Sequence, residues 1–414
     1  MPEPLPHSVA ALCEAERLMH GGSFEQAVEI LQKVVSEPTV HAISMLASLY
    51  LEIGEPETAL WHATVAVERE PRSVLARDVL ARVNLALGDY FSALSDYGAV
   101  AALCREHNPT PPDKYSIPAH IALHNIEQVE HILAVGNYDE QAFSGIFAQE
   151  FDGLRRRLLE VIDGANGKAP VVSVQGRNSR IIADPPYVRV SEERLPTYLN
   201  TSVDYRPIQQ GFMGRKKVQI IDDFLAPSAL SQVQKFCLES TVWRHPYKFG
   251  YVGAFPQDGF ASISLFAIAE ELRTALGDAF NEHQLAQWWA FAYDSKLPGT
   301  DIHGDDADFT LNLWITPDSA NLDPETGGMV IWDKKAPHDW SFNDYNSGGE
   351  RVRQFLRDHN AESTTIPYRA NRAVLFEGHL FHQTDGFTFA PGFVNQRRSL
   401  TFLFRRSKRK FALR

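Results

Sequence analysis

The hydrophobic period of this chain changes once, and that change limits what it can fold into. From residue 8 to about 135, apolar side chains recur at helical spacing, as in EQAVEILQKVV, ISMLASLYLEI and DVLARVNLAL. Beyond about residue 205 the pattern becomes short runs rich in aromatic and β-branched residues. These are KVQII, QWWAFAY, DFTLNLWI, GMVIWD, RAVLFE and RRSLTFLF, separated by Gly, Pro, Asn and Asp. Two amphipathic helices, DDFLAPSALSQVQKFCLES and SISLFAIAEELRTALGDAF, stand among the first of these runs. A helical array followed by a strand-rich domain is predicted, because neither period can be accommodated in the other element. The expected class is multidomain α + (α+β). Residues 1–160 would form the helical domain, 161–204 a linker or connector, and 205–414 the strand-rich domain. The turn-rich GANGKAP and the proline-bearing IIADPPYVRV mark the junction.

The first half repeats itself. Gly22, Phe24 and Ala27 are followed by Gly54 and Ala59, then by Gly88, Tyr90 and Ala93, with the alanines 32 and 34 residues apart. Pro38 and Pro71 close two units 33 residues apart. A small residue where two helices cross lets them approach, and a glycine turn reverses the chain between them. This pattern resembles the tetratricopeptide repeat, which implies stacked helical hairpins and a partner-binding or dimer-forming surface.

Several function classes are disfavoured at this level. The net charge of −12 argues against general nucleic-acid binding, although Arg405, Arg406, Lys408, Arg409 and Lys410 cluster near the C-terminal end and read as a solvated tail. The three cysteines are far apart and form no CxxC pair, so neither a disulfide framework nor a thiolate zinc site is expected. No signal-peptide pattern and no apolar run of membrane-spanning length is read. The expectation is a cytoplasmic protein without a membrane partner.

The second half carries the chemistry. His303-Gly304-Asp305 follows the run QWWAFAY and precedes DFTLNLWI. A second histidine lies 79 residues on, in RAVLFEGHLFHQTD, and Arg397-Arg398-Ser399 opens the last strand. Two imidazoles and a carboxylate on one face of an iron ion leave three positions open for co-reactants. His303 and Asp305 both reach one metal if the chain bends between them, and Gly304 is read as permitting that bend.

Residues 215–406 resemble the Fe(II)/2-oxoglutarate-dependent dioxygenase superfamily, of the prolyl-hydroxylase type. The resemblance rests on IIDDFLAPSAL, FAYDSKLPGTDIHGDDADFTLNLWITPD, GGMVIWD and NRAVLFEGHLFHQTDGF…NQRRSLTFLF. It implies a double-stranded β-helix, or jelly roll, with flanking helices. It implies His303, Asp305 and His382 as catalytic iron ligands. His379 is the rival for the last position, and Asp306 and Asp308 are rivals for Asp305. It also implies that Arg397 and Ser399 hold the distal carboxylate of 2-oxoglutarate, Arg398 facing away if the strand is regular. Tyr293 matches a cosubstrate-binding position and reads equally as a packed aromatic. Asn312 reads as a ligand contact or as a satisfied core amide. The implied cofactors are Fe(II), 2-oxoglutarate and O2, with ascorbate supportive. The implied reaction is hydroxylation of a protein, peptide or amino-acid-like substrate, with release of succinate and carbon dioxide. The presence of Asp305 favours hydroxylation, since halogenating members carry a small residue there. The alternative is a catalytically silent oxygenase fold that binds a partner through its repeats. The stretch PHDWSFNDYNSGGERVRQFLRDHNAES lengthens the spacer before His382 and reads as a lid or substrate-selecting insertion, with His338, Asp344 and Arg353 the residues to watch.

Overall fold

The computed structural model describes residues 7–20, 23–34, 39–106, 114–136, 143, 151–164, 170–176, 178–214, 218–247, 250–293 and 299–406. The chain forms two compact units, one of Met1–His107 with Arg406–Arg414 and one of Asn108–Arg405. Gly22, Pro38, Lys408, Arg409, Lys410 and most of GANGKAP lie outside the described residues. Among the described residues, no helix is long and apolar enough to cross a membrane.

Among the described residues the first unit has six helices: α1 (His7–His20), α2 (Phe24–Val34), α3 (Val40–Glu52), α4 (Pro56–Arg69), α5 (Val74–Ala86) and α6 (Tyr90–Glu106). Successive helices pack as α1 with α2, α3 with α4 and α5 with α6. Ala27, Ala59 and Ala93 are all fully buried, as their crossing-point role requires. Gly54 and Gly88 turn the chain with φ of 83° and 80°, a region costly for any residue with a Cβ. Local chemistry starts the helices. Thr39 and Ser73 accept hydrogen bonds from the amides of Ala42 and Ala76, and Pro56 occupies the first turn of α4.

The second unit starts earlier than its strand pattern. A hairpin of β1 (Lys114–Pro118) and β2 (Val171–Gln175) flanks α7 (Ala119–Val135) and α8 (Phe151–Asp163), and α9 (Ser179–Ala183) follows. Residues 1–160 were expected to be one helical domain, but the chain divides at 107/108, and α7 packs on α8, α9 and a later helix of the second unit. Ile126, Val129 and Ile132 of α7 share one apolar cluster with Phe151, Leu158, Val174 and Ile182, and polar contacts add to it: Asn125 donates to the Ile182 carbonyl at 2.7 Å and Gln128 to the Ser240 carbonyl at 2.8 Å. The expected linker, 161–204, is likewise tied down. The amides of Val188 and Val190 donate to the hydroxyls of Thr241 and Ser240, and those of Tyr198 and Leu199 to the Glu271 carboxylate.

The remaining elements are α10 (Arg206–Met213), β3 (Val218–Ile221), α11 (Pro227–Glu239), β4 (His245–Pro246), β5 (Tyr251–Ala254), α12 (Ile263–Leu276), β6 (His283–Tyr293), β7 (Phe309–Trp314), β8 (Met329–Lys335), α13 (Phe342–Asn346), α14 (Gly349–Asp358), β9 (Ser363–Ile366), β10 (Ala373–Glu377), β11 (Leu380–Thr384) and β12 (Arg397–Arg406). Seven strands form one sheet in the order β3-β10-β7-β12-β6-β5-β4, and three form another in the order β11-β8-β9. Trp314, Val374 and Phe376 from the first sheet share one apolar cluster with Met329, Ile331, Ile366 and Leu380 from the second. Two antiparallel sheets sharing a core in this way match the jelly-roll expectation. Alternation along β6 explains its two faces. Trp288, Ala290 and Ala292 are buried, Trp288 against Phe266 of α12, while Trp289 and Phe291 turn to the inside of the fold.

Candidate metal centre

The segment preceding β7 runs antiparallel to β11 and brings two distant histidines side by side. His303 and His382 exchange main-chain hydrogen bonds, at 3.0 Å and 2.8 Å. Directly opposed residues project their side chains to the same side, and the two imidazole centroids are 4.3 Å apart. Asp305 is placed by its amide, which donates to the Gly378 carbonyl at 2.8 Å. Gly378 is required at that turn, since a Cβ there would stand 2.4 Å from the Ala307 carbonyl oxygen.

The three side chains converge. His303 Nε2 is 3.6 Å from Asp305 Oδ1, and His382 Nε2 is 3.5 Å from Asp305 Oδ2. Among the described residues this is the one group of three or more His, Cys, Asp or Glu side chains with metal-holding geometry, its donor atoms all within 4.8 Å of one another. The separations exceed a good hydrogen bond but suit donors around one ion held at roughly 2.1 Å. Each Nδ1 lies against a backbone carbonyl, that of His303 2.8 Å from Asp301 and that of His382 2.9 Å from Leu380. A proton on each Nδ1 leaves Nε2 as the free lone pair. Burial pushes the His382 imidazole down to about 4, so its neutral, ligating form prevails at neutral pH. Thr310 Oγ1 donates to Asp305 Oδ2 at 2.8 Å and orients the carboxylate.

One expectation about this turn is corrected. Gly304 is not among the residues with positive φ, and a Cβ there would meet the His379 carbonyl oxygen at an ordinary 3.4 Å. The bend comes from the hydrogen bonds on either side: the Gly304 amide donates to Tyr345 at 3.0 Å, and the Asp305 amide to Gly378. The rivals lie elsewhere. His379 occupies the turn between β10 and β11, Asp306 is exposed and paired with Arg405, and Asp308 is exposed.

The chamber around the triad is also lined by Tyr293, Asn312, Arg397 and Ser399. Alternation along β12 puts Arg397, Ser399 and Thr401 on this side. Arg397 is 2% exposed and lies under an aromatic cover, its guanidinium carbon 4.7 Å from the Tyr293 ring and 5.7 Å from Phe387. Its Nε donates to Gly327 at 2.6 Å and its Nη2 to Gly328 at 3.0 Å, while buried Nη1 has no partner. Burial holds its pKa below the usual guanidinium range. Asn312 Oδ1 is likewise buried without a partner, and the Tyr293 hydroxyl lies 2.9 Å from that of Thr300. Arg398 points to the opposite side, where its guanidinium donates to the carbonyls of Phe393 and Gln396. The chamber's chemistry therefore fits the group implied: nitrogen and carboxylate donors for a metal, and beside them a buried cation with an unmet donor for an anionic co-ligand.

Residues not singled out on sequence complete the site. Asp301 accepts from the Ile302 amide at 2.8 Å and is ion-paired with Arg353. Trp289, Phe291, Thr300 and Thr401 line the chamber. For Trp289, Phe291 and Thr401 the signal was present in the two-residue periods of β6 and β12, but only the opposing strands show which period faces inward; Thr300 lies outside both strands. The insertion is built from α13 and α14, and Tyr345, Val352 and Leu356 pack with Ile302 and Phe381 around the histidine-bearing segments. Within it His338 is exposed, Asp344 caps α13 with Ser341 and pairs with Arg351, and Arg353 holds Asp301.

No family model matches the chain, and no curated protein matches it. Among solved structures, the chain is similar to the non-heme alpha-ketoglutarate-dependent epimerase SnoN from nogalamycin biosynthesis, at 14% identity and a TM-score of 0.35 over 48% of this chain and 84% of that one. It is also similar to the carbocyclase SnoK of the same biosynthesis, at 11% identity and 0.37 over 51% and 87%. A third is EctD from S. alaskensis with 2-oxoglutarate and 5-hydroxyectoine, at 13% identity and 0.31 over 52% and 79%. Two of these neighbours are described as non-heme and alpha-ketoglutarate-dependent, the third was solved with 2-oxoglutarate, and each match spans about half of this chain. At such scores the likeness adds no weight to the reading, which rests on the donor geometry above.

Proposed function

We propose that the second unit is an Fe(II)- and 2-oxoglutarate-dependent oxygenase that hydroxylates an unactivated C–H bond. One observation carries the reading: the two-histidine, one-carboxylate group shares its chamber with Arg397, a buried arginine whose Nη1 has no partner and which makes no ion pair among the described residues. A buried cation without an anion is costly, and a carboxylate ligand would relieve that cost. His303, Asp305 and His382 would hold iron, and Arg397 with Ser399 would hold the far carboxylate of 2-oxoglutarate. Tyr293 and Asn312 would complete the walls. When bound, the cofactors supply oxidation of R–H by O2 to R–OH, coupled to conversion of 2-oxoglutarate to succinate and carbon dioxide. The chain's own residues orient. The Nδ1 contacts to Asp301 and Leu380 keep both Nε2 atoms free for metal, and Thr310 fixes the carboxylate.

The helical unit, read as tetratricopeptide-like, would recruit a protein partner or a second copy of the chain. Trp61 and Phe91 are large apolar side chains left exposed on it. The direct experiment on the enzymatic reading is succinate release by the iron(II)-loaded protein with 2-oxoglutarate and ascorbate. Asp305→Ala is expected to abolish both succinate release and tight metal binding. Release that persists in this variant at the parent rate sinks the assignment.

A further inference from the structure

The chamber opens into a cleft of about 810 Å³ bounded by His303 and Asp305. That lies within the range of roughly 300–1,000 Å³ that suits multi-ring ligands of drug size. One wall is aromatic. Trp289 and Phe291 of β6 face it, and Tyr247, Tyr251 and Phe255 join them from β4, β5 and the residues beside these strands. The rings touch in sequence. Tyr247 stacks on Tyr251 at 4.4 Å, Tyr251 meets Phe291 edge-on at 5.0 Å, and Phe255 lies 6.3 Å from Trp289. Gly253 makes the array possible, because a Cβ there would stand 2.9 Å from the Phe255 ring and 3.0 Å from that of Tyr247. The insertion adds Phe342, which is 52% exposed.

Charge in the cleft is internally cancelled. Apart from Asp305, its carboxylates are Asp301 and Asp306, and these are ion-paired with Arg353 and Arg405. Among the described residues, the cleft outside the metal chamber therefore presents no uncompensated charge. A free amino acid would surrender the hydration of its ammonium and carboxylate there without gaining a partner. An uncharged ring system would instead cover aromatic surface otherwise wet, each ring-on-ring contact adding attraction beyond area burial. Gln287 and Ser347, both exposed on the cleft, supply hydrogen-bonding groups for ring hydroxyls or carbonyls.

We infer that the substrate is an uncharged, multi-ring small molecule stacked on the Tyr251–Phe291–Trp289 wall, with the atom to be oxidised turned toward His303 and Asp305. The inference rests on the proposed function, whose alternatives included peptides and amino-acid-like substrates. The test is anaerobic calorimetry of the full-length iron(II)-loaded protein with 2-oxoglutarate. The probes are the flavanone naringenin, free L-proline, free L-arginine and a blocked pentapeptide. Naringenin is expected to bind at least tenfold tighter than the other three. Tyr247→Ala and Phe342→Ala, two substitutions at different places in the cleft, are each expected to weaken it at least fivefold. No binding of naringenin, tighter binding of an amino acid or of the peptide, or naringenin binding untouched by both substitutions overturns the inference. Titration with 2-oxoglutarate alone separates the two levels. If it binds and naringenin does not, only the substrate class fails. If naringenin binds and 2-oxoglutarate does not, the oxygenase reading fails and the ring-binding cleft stands.

Discussion

The two faces of β12 carry adjacent arginines that are equally buried, and they differ in what surrounds them. Arg397 and Arg398 are each 2% exposed, and neither makes an ion pair among the described residues. On the far face, Arg398 donates to the carbonyls of Phe393, Val394 and Gln396 and lies over the Phe393 ring. That face is closed by α7, whose His124 also packs against Phe393. On the chamber face, Arg397 has two glycine carbonyls, an aromatic cover and an Nη1 without a partner. Each arginine keeps one buried donor without a partner, Nη1 of Arg397 and Nε of Arg398, and they differ in what lies beside them: Arg397 lines the chamber that holds the triad, whereas Arg398 is wrapped by loop carbonyls and the Phe393 ring. Neither burial nor one unmet donor distinguishes a structural arginine from a ligand-binding one; here the distinction is that Arg397 borders the chamber of the triad and Arg398 does not.

Substituting each arginine by methionine, which keeps length and removes charge, puts that difference to its hardest test. Arg397→Met is expected to weaken 2-oxoglutarate binding at least ~100-fold, the loss of about two charge-assisted hydrogen bonds. Its stability should change little, because a costly buried charge goes with the lost bonds. Arg398→Met should leave 2-oxoglutarate binding nearly intact and lose roughly 2–4 kcal/mol of stability as its loop carbonyls are orphaned. Calorimetry and urea unfolding read the two effects, and equal losses of 2-oxoglutarate binding would erase the distinction between the faces.

A smaller effect belongs to the far face alone. Burial pushes the imidazoles of His120 and His124 down from 6.5 to about 4 and about 3. The folded state therefore binds their protons less readily than the unfolded state does. Their contribution is fully present above the unfolded value near 6.5 and is lost as pH falls toward the folded values. By pH 5 each should cost about 2 kcal/mol of stability. His124→Gln should flatten the decline between pH 6.5 and 5 measured by urea unfolding. A profile of unchanged slope would show that His124 takes up its proton without opening α7.

The smallest effect sharpens the chamber side. Arg353 holds the Asp301 carboxylate while the Asp301 carbonyl holds His303 Nδ1. Arg353→Gln should lower metal affinity about tenfold, as is usual when support for a ligating histidine is removed. Metal titration of the apo-protein with 2-oxoglutarate absent measures this without reference to turnover. Unchanged affinity would make the pair a surface contact of the insertion.

Much of the site was legible in local pattern. His303 and Asp305 stood out at a strand end, and the two-residue period from Arg397 to Ser399 predicted that they share a face. Tyr293 and Asn312 also line the chamber. What was not legible depended on the opposing strand. The sequence left His379 and His382 as rivals, and only the bridge between His303 and His382 places one of them at the triad. Thr310 acts through one hydrogen bond to Asp305 and Asp301 through its carbonyl on His303 Nδ1, and no composition or period signals such bonds. β4 and β5 escaped because two and four residues around His245-Pro246 and Gly253 carry no readable alternation. The division between the two compact units at 107/108 leaves no mark in the pattern, because α7 has the same helical period as the helices before it. The apolar face of α7 packs with Phe151, Leu158, Val174 and Ile182, and Asn125 and Gln128 add hydrogen bonds that a hydrophobic pattern ignores.

By itself the sequence determined the order of elements, the switch from helical to strand period and the residue types available for chemistry. These follow from hydrophobic spacing and backbone preference, which act over a few neighbouring residues. The tertiary structure decided which histidine joins the pair, which arginine borders the chamber, and that the aromatic period of β6 lines a cleft. Those outcomes depend on strand register and on contacts between residues tens of positions apart, and in a two-residue period a shift of one position exchanges the faces.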